Sequence, residues 1–198
     1  MGKSQTCPTV LTVIYREIPL IPMPTNSAII LKATEFAADK HRGQSRKDAA
    51  NTPYINHPVA VAYLLSHFAG IQDTNVIVAA LLHDTVEDTD TTVDDIEELF
   101  GREVRDIVIE VTDDKSLPSQ RRKQLQIEHA AKLSHAARLV KLADKICNLQ
   151  DIISRPPVNW SLGRKREYFE WAKAVIDQLR GTNAKLEALF DEIYQKKP

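Results

Sequence analysis

Apolar residues recur at spacings of three and four from Ser27 onward, and few segments alternate in the manner of a β-strand. This spacing places the apolar side chains on one face of a helix, so it predicts an all-α fold of about eight to ten helices. Thr92 and Asp95 have the spacing of a capping box, and Asn56 is the candidate cap of a helix that begins at Pro58. The helices are predicted at about 27–41, 58–69, 75–84, 92–100, 102–111, 119–133, 134–153, 162–179 and 183–194.

The first 26 residues differ from the rest of the chain. They contain four prolines and show neither a helical nor an alternating pattern. We therefore expect residues 1–26 to form a poorly ordered arm. The remaining part, residues 27–198, is long enough for one domain with its own apolar core.

The charge balance and the cysteines limit the class of protein. With 26 basic and 27 acidic side chains and no basic stripe interleaved with aromatic residues, the sequence indicates no nucleic-acid or membrane-surface partner. The longest stretch without charged residues, 49–72, is interrupted by prolines, histidines and a glycine, which excludes a transmembrane helix there. Cys7 and Cys147 are expected to be free thiols in a reducing compartment, so we expect a cytoplasmic protein.

One predicted helix ends in a cluster of titratable groups. Its residues 76–82 are apolar on nearly all sides, and they are followed by His83, Asp84, Glu87 and Asp88. A buried charge without a partner costs several kcal/mol, so such a cluster should be paired, protonated or bound to a cation. One metal ion held by His83 and Asp84, with both remaining acids left to handle water, would explain the cluster. A solvated helix end is the alternative, and the residues alone leave both open.

A metal ion needs further ligands from elsewhere in the chain. Among the other histidines, His57 is the best candidate, because a short loop before its helix can aim it inward. Asp144 is a second acidic candidate, since it shares one side of a predicted helix with Asn148, opposite the apolar stripe. A helical wheel does not distinguish a solvated face from the wall of a cleft, so both interpretations of Asp144 stay open at this point.

Seven sequence blocks follow one another at compatible spacing between residues 41 and 172, within a resemblance that covers roughly residues 30 to 195. They are HRGQ with RKD at 41–48, TPYINHP at 52–58, AALLHDTVEDT at 79–89, VTDDK at 111–115, LVKLADK at 139–145, NL at 148–149 and EYFEWA at 167–172. In these blocks the chain resembles the HD-type phosphohydrolases, and among them the stand-alone small hydrolases related to RelA and SpoT, in particular the metazoan SpoT-homologue group. An isolated His-Asp pair would be weak evidence, whereas ordered blocks are specific.

The resemblance implies an all-α HD fold with one divalent metal ion, usually Mn²⁺. The metal ligands that it implies are His57, His83, Asp84 and Asp144. It also assigns water activation to Glu87 and Asp88, and nucleotide binding to Arg46, Lys47, Asn148 and Tyr168. Such enzymes hydrolyse guanosine tetraphosphate (ppGpp) at the 3′ position to GDP and pyrophosphate, and similar members remove the 2′-phosphate of NADPH. The expected partner is therefore a small-molecule nucleotide, and the oligomeric state stays open.

One position departs from the family pattern. Close relatives tend to have a lysine where this chain has Ser119, and Lys115 and Arg121 are the candidate replacements for its phosphate contact. The basic run 121–123 is otherwise interpreted as solvated charge. A non-catalytic HD module is the remaining alternative to the two hydrolases. Such a non-catalytic module would be expected to have lost metal ligands, and all four implied ligand residues are present in this sequence.

Overall fold

The computed structural model describes residues 25–198, which form ten α-helices and one π-helical segment, with a single isolated β-bridge between Ser45 and Pro53. The all-α prediction is confirmed. Apart from its last two residues, the predicted arm lies outside the described residues, as does Cys7. The helices are α1 (Asn26–Lys40), α2 (Asn56–Tyr63) with the π-helical segment (Leu64–Phe68), α3 (Thr74–Leu82), α4 (Thr85–Asp88), α5 (Val93–Phe100), α6 (Arg102–Val111), α7 (Ser119–Ala130), α8 (His135–Ser154), α9 (Leu162–Asp177) and α10 (Ala184–Tyr194).

The helix starts show which capping predictions hold. The capping box of α5 is confirmed, because the Thr92 side chain accepts from the Asp95 N–H while the Asp95 carboxylate accepts from the Thr92 N–H. The prediction of Asn56 as a cap is wrong: it is the first residue of α2, and Ile55 occupies the cap position without a side-chain hydrogen bond. The first turn explains this, because Pro58 has no N–H and the N–H of Val59 already donates to the carbonyl of Ile55, so no donor is left for an Asn56 side chain to cap.

Two helices at the centre of the molecule position the candidate site. In α3, residues 76–82 are all buried, as its apolar sequence predicts, and α3 packs against α1, α2, α6 and α8. Helix α8 packs against α2, α3, α6, α9 and α10, so its middle is buried on every side, including the charged residues Lys141, Asp144 and Lys145. The candidate residues at the end of α3 and in the middle of α8 therefore lie inside the fold.

Cys147 is a free, buried thiol, and burial raises its pKa to about 12. Within residues 25–198, none of the helices combines the length and the apolar character that a membrane span requires.

Candidate metal centre and active site

Two histidines and two carboxylates from distant parts of the chain meet beside the C-terminal end of α3. His57 lies in the first turn of α2, His83 and Asp84 link α3 to α4, and Asp144 lies in the middle of α8. The Nε2 atom of His57 is 3.1 Å from Oδ1 of Asp144 and 3.8 Å from Oδ2 of Asp84. The Nε2 atom of His83 is 3.2 Å from Oδ2 of Asp84 and 3.8 Å from Oδ1 of Asp144. The structure thus brings His57, His83 and Asp144 within 4.8 Å of one another, and it places Asp84 beside both histidines but outside that mutually close set.

These distances suit a shared divalent ion. Ligand bonds of about 2.0–2.2 Å place two donors on one ion about 3 to 4.3 Å apart, and the four histidine–carboxylate distances fall in this range. The Nδ1–H of His83 donates to the carbonyl of Ala80 at 2.7 Å, which leaves the lone pair of Nε2 facing the carboxylates. This buried Nε2 has no hydrogen-bond partner among residues 25–198. A donor set of two imidazoles and two carboxylates, with one nitrogen left unpartnered, is consistent with a divalent metal site.

The electrostatics of the four residues also favour a cation. Burial lowers the pKa of His83, but the adjacent carboxylate of Asp84 outweighs burial and raises it to about 9. Burial would raise the pKa of Asp144, yet the ammonium group of Lys145 and the imidazole of His57 hold it well below its usual range. The imidazole of His83 likewise outweighs burial and lowers the pKa of Asp84, so both carboxylates are ionised and the cluster attracts either protons or a metal ion.

Tyr54 joins this cluster, although the sequence assigned it no role. Its hydroxyl lies 2.6 Å from Oδ2 of Asp84 and 3.2 Å from Oδ2 of Asp88, so it bridges a candidate ligand and a candidate acid. Its ring stacks on His41 with 4.7 Å between centroids. Burial and the nearby carboxylate of Asp84 raise the pKa of Tyr54, so the phenol stays protonated and can only donate to these acids. In the sequence, the position of Tyr54 three residues before His57 was the signal that could have placed it near this cluster.

The two candidate acids face different surroundings. Asp88 forms an ion pair with Lys115 and lines the cleft described below. Glu87 is half-buried, accepts from the N–H of Asp113 at 3.1 Å and lies 3.4 Å from Arg122. Burial raises the pKa of Glu87. Of the two acids, Asp88 therefore contacts the cleft, whereas Glu87 lies against Asp113 and Arg122.

A cleft with a volume of about 550 Å³ opens next to the candidate metal ligands. This volume is typical of small-molecule sites. The residues predicted to bind a nucleotide all line it: Arg46, Lys47, Asn148 and Tyr168. The guanidinium of Arg46 donates to Asn148 at 2.8 Å and to Asp151 at 2.9 Å. In turn, the amide of Asn148 donates to Oδ1 of Asp144 at 2.5 Å. The cleft and the ligand cluster are therefore connected by direct hydrogen bonds.

Aromatic side chains form one wall of this cleft. The rings of Trp160 and Tyr168 lie 5.5 Å apart, and Tyr168 packs against Trp171 with 5.1 Å between centroids. Burial raises the pKa of Tyr168 to about 12, which keeps its hydroxyl protonated. The cleft thus combines basic side chains with a flat apolar surface, as a nucleotide requires for its phosphates and its base.

The structure separates the two candidates that could compensate for Ser119. Lys115 pairs with Asp88 at the cleft, whereas Arg121 pairs with Glu128 at 3.2 Å on an exposed part of α7. Arg121 therefore does not fit the role, and Lys115 stays a candidate. The interpretation of the run 121–123 as solvated charge is wrong for Arg122, which is half-buried against Glu87.

Comparison with known proteins agrees with this geometry. The sequence pattern of the HD domain family matches residues 33–166. The chain is 56% identical over 172 residues to the guanosine-3′,5′-bis(diphosphate) 3′-pyrophosphohydrolase MESH1 of Xenopus tropicalis, covering 87% of this chain and 96% of the relative. Identity to the Homo sapiens MESH1 is 54% over 175 residues, covering 88% and 98%. A solved structure of a metazoan orthologue of SpoT that hydrolyses ppGpp superimposes with a TM-score of 0.84 at 52% identity, covering 88% of this chain and 97% of that one.

Proposed function

We propose that this chain, which belongs to the HD-domain family and within it to the MESH1 group of pyrophosphohydrolases, hydrolyses ppGpp at its 3′ position to GDP and pyrophosphate. The observation that carries this proposal is the convergence of His57, His83, Asp84 and Asp144 directly beside a cleft lined by basic and aromatic side chains. A fold match alone would not specify chemistry, whereas this site offers imidazole and carboxylate donors for a divalent ion beside a wall with basic side chains suited to phosphate.

The reaction requires a water molecule to attack phosphorus. A divalent ion on the four ligands would lower the pKa of water and screen the charge of the phosphate. Glu87 or Asp88 accepts the proton of the attacking water, whose oxygen forms the new bond to the phosphorus of the 3′-diphosphate. The bond from this phosphorus to the 3′ oxygen breaks, and the 3′ oxygen keeps the electron pair and takes up a proton. GDP and pyrophosphate result.

The side chains of the cleft hold the substrate during this step. Arg46 is preoriented by Asn148 and Asp151, so its planar guanidinium can make paired hydrogen bonds to phosphate oxygens with little loss of side-chain entropy. Lys47 is exposed at the same wall and adds a mobile positive charge. Tyr168 presents a flat surface and a protonated hydroxyl to the nucleoside. The substrate is thus held at its phosphates by charge and at its base by an aromatic ring.

We further propose Mn²⁺ as the ion. Imidazole and carboxylate donors bind several divalent metals, and their affinities alone rank zinc and copper above manganese, so this choice is supported by the family resemblance rather than by the donor set. The single HD domain over residues 27–198 and the cytoplasmic location stay predictions from the sequence.

A product assay tests the function. Metal-stripped protein with Mn²⁺ restored is given ppGpp and NADPH in separate reactions, and the released groups are identified. Pyrophosphate with GDP from ppGpp supports the proposal. Orthophosphate released from NADPH alone would instead identify a 2′-phosphatase that uses the same site, and no product from either nucleotide would leave a non-catalytic HD module. Asp84→Asn is the matched control, because it removes a ligand charge at nearly constant volume.

A further inference from the structure

A lysine is buried next to one of the candidate metal ligands. Lys145 is 3% exposed, and its Nζ lies 3.0 Å from Oδ2 of Asp144. The ammonium group also lies 4.5 Å from the ring centroid of Trp171, whose face attracts cations. The ammonium group of Lys145 therefore sits behind Asp144, inside the fold, between this carboxylate and the ring of Trp171.

The two oxygens of Asp144 have separate partners. Oδ1 faces His57 at 3.1 Å and accepts from the amide of Asn148, whereas Oδ2 accepts from Lys145. Oδ1 lies 3.1 Å from Nε2 of His57 and 3.8 Å from Nε2 of His83. The carboxylate is therefore held in one rotational state, with one oxygen directed to the ligand cluster and the other directed away from it.

We propose that Lys145 is a positioning residue of the metal centre, which binds Oδ2 of Asp144 and so presents Oδ1 to the metal ion. The proposal rests on the proposed function only in taking Asp144 as a ligand. Because a metal-binding carboxylate needs a fixed orientation, partners that hold its second oxygen contribute to metal affinity almost as the ligands do. Trp171 supports this arrangement by keeping the ammonium group above its ring.

A purely structural role is a poorer explanation of Lys145. A buried ion pair seldom stabilises a fold more than apolar side chains of similar volume, because both charges must be desolvated. The same helix provides a comparison in Lys141, which is 8% exposed and donates to the carbonyl of Val111 at 2.8 Å rather than to Asp144. The two lysines are thus matched in burial and in helix, and they differ in whether they hold a metal ligand.

Calorimetric titration of Mn²⁺ into metal-stripped full-length protein tests the proposal. Lys145→Met should weaken the Mn²⁺ Kd by about tenfold or more, in the range seen when partners of metal ligands are removed. Lys145→Arg keeps a charged donor and should stay closer to the wild-type Kd than Lys145→Met. The control Lys141→Met should leave the Kd unchanged. An unchanged Kd in Lys145→Met, or an equal loss in both methionine variants, would overturn the proposal.

Two features keep this test decisive. If Lys145→Met does not fold, Lys145→Gln replaces it, because the shorter, neutral amide cannot hold Oδ2 as the ammonium does. The same loss of Mn²⁺ affinity is then expected, and a wild-type Kd in that variant overturns the proposal. The titration contains no nucleotide, so its outcome is independent of whether ppGpp is the substrate, and a failed product assay would not affect it.

Discussion

Replacing Arg46 by alanine tests how the cleft holds the anionic part of its substrate. The guanidinium is already held by Asn148 at 2.8 Å and Asp151 at 2.9 Å, so it is ordered before the substrate binds. A hydrogen bond to a charged group contributes about 1.5–3 kcal/mol, and 1.4 kcal/mol corresponds to a factor of ten. We therefore expect kcat/KM for ppGpp to fall about 10- to 150-fold, mostly through a higher KM, because Arg46 binds phosphate in the ground state.

The fold should tolerate this change. Asp151 keeps its second partner, Arg155, at 2.8 Å, so no buried carboxylate is left alone. The free energy of unfolding is expected to fall by about 1–3 kcal/mol, because Asn148 and Asp151 each lose a largely buried donor.

Steady-state kinetics at saturating Mn²⁺ provide the assay, with thermal unfolding as the check on folding. Arg46→Lys is the matched variant, since it keeps the charge and loses the planar fork, and its KM should lie between those of the wild type and Arg46→Ala. A variant with wild-type KM and a reduced kcat would refute the ground-state role of Arg46. So would a loss of Mn²⁺ affinity, because Arg46 contacts none of the four ligands directly in this structure.

Three further predictions concern the metal centre. His83→Ala and Asp84→Ala should abolish Mn²⁺ retention and turnover, whereas Glu87→Ala should retain Mn²⁺ and lose about 10²- to 10⁴-fold in kcat. Equal metal loss in all three variants would contradict the separate roles of ligand and base. Burial raises the pKa of Glu87, and a general base must be deprotonated, so kcat should decrease at low pH with an apparent pKa above the ordinary 4.5 of glutamate. If Glu87→Gln keeps the same decrease of kcat at low pH, Glu87 is not the base. Tyr54→Phe removes the donor to Asp84 and Asp88 and should weaken Mn²⁺ binding by about tenfold, as measured by calorimetry; an unchanged Kd would show that this hydroxyl does not orient the ligands.

The helices follow from local sequence more directly than the site does. Residues 76–82 are apolar on all sides and form the most buried helix, and the Thr92–Asp95 spacing forms a real capping box. The end of α2 could not be predicted from the sequence, because the π-helical segment Leu64–Phe68 depends on how the chain packs there rather than on a local sequence signal. The cap prediction at Asn56 was wrong because Pro58 has no N–H and the N–H of Val59 already donates to the carbonyl of Ile55.

Sequence patterns alone did not predict which side chains of the site are buried. Periodicity placed Asp144 and Asn148 opposite an apolar stripe, which is typical of a solvated face, and only the packing of α2, α3 and α9 around α8 makes that face a wall of the interior. Lys145 carried no signal of its own, because its burial depends on Trp171 and Asp144. The resemblance to HD hydrolases supplied the ligand set, since no local pattern connects His57 with Asp144.

Anomalous diffraction from crystals grown with Mn²⁺ tests most directly whether four distant side chains bind one ion. A single anomalous peak is expected among Nε2 of His57, Nε2 of His83 and the carboxylates of Asp84 and Asp144, at about 2.0–2.2 Å from each ligand atom. The peak should be absent from crystals of Asp144→Asn prepared in the same way. Manganese bound at other side chains, or no peak near these four, would contradict the proposed metal centre.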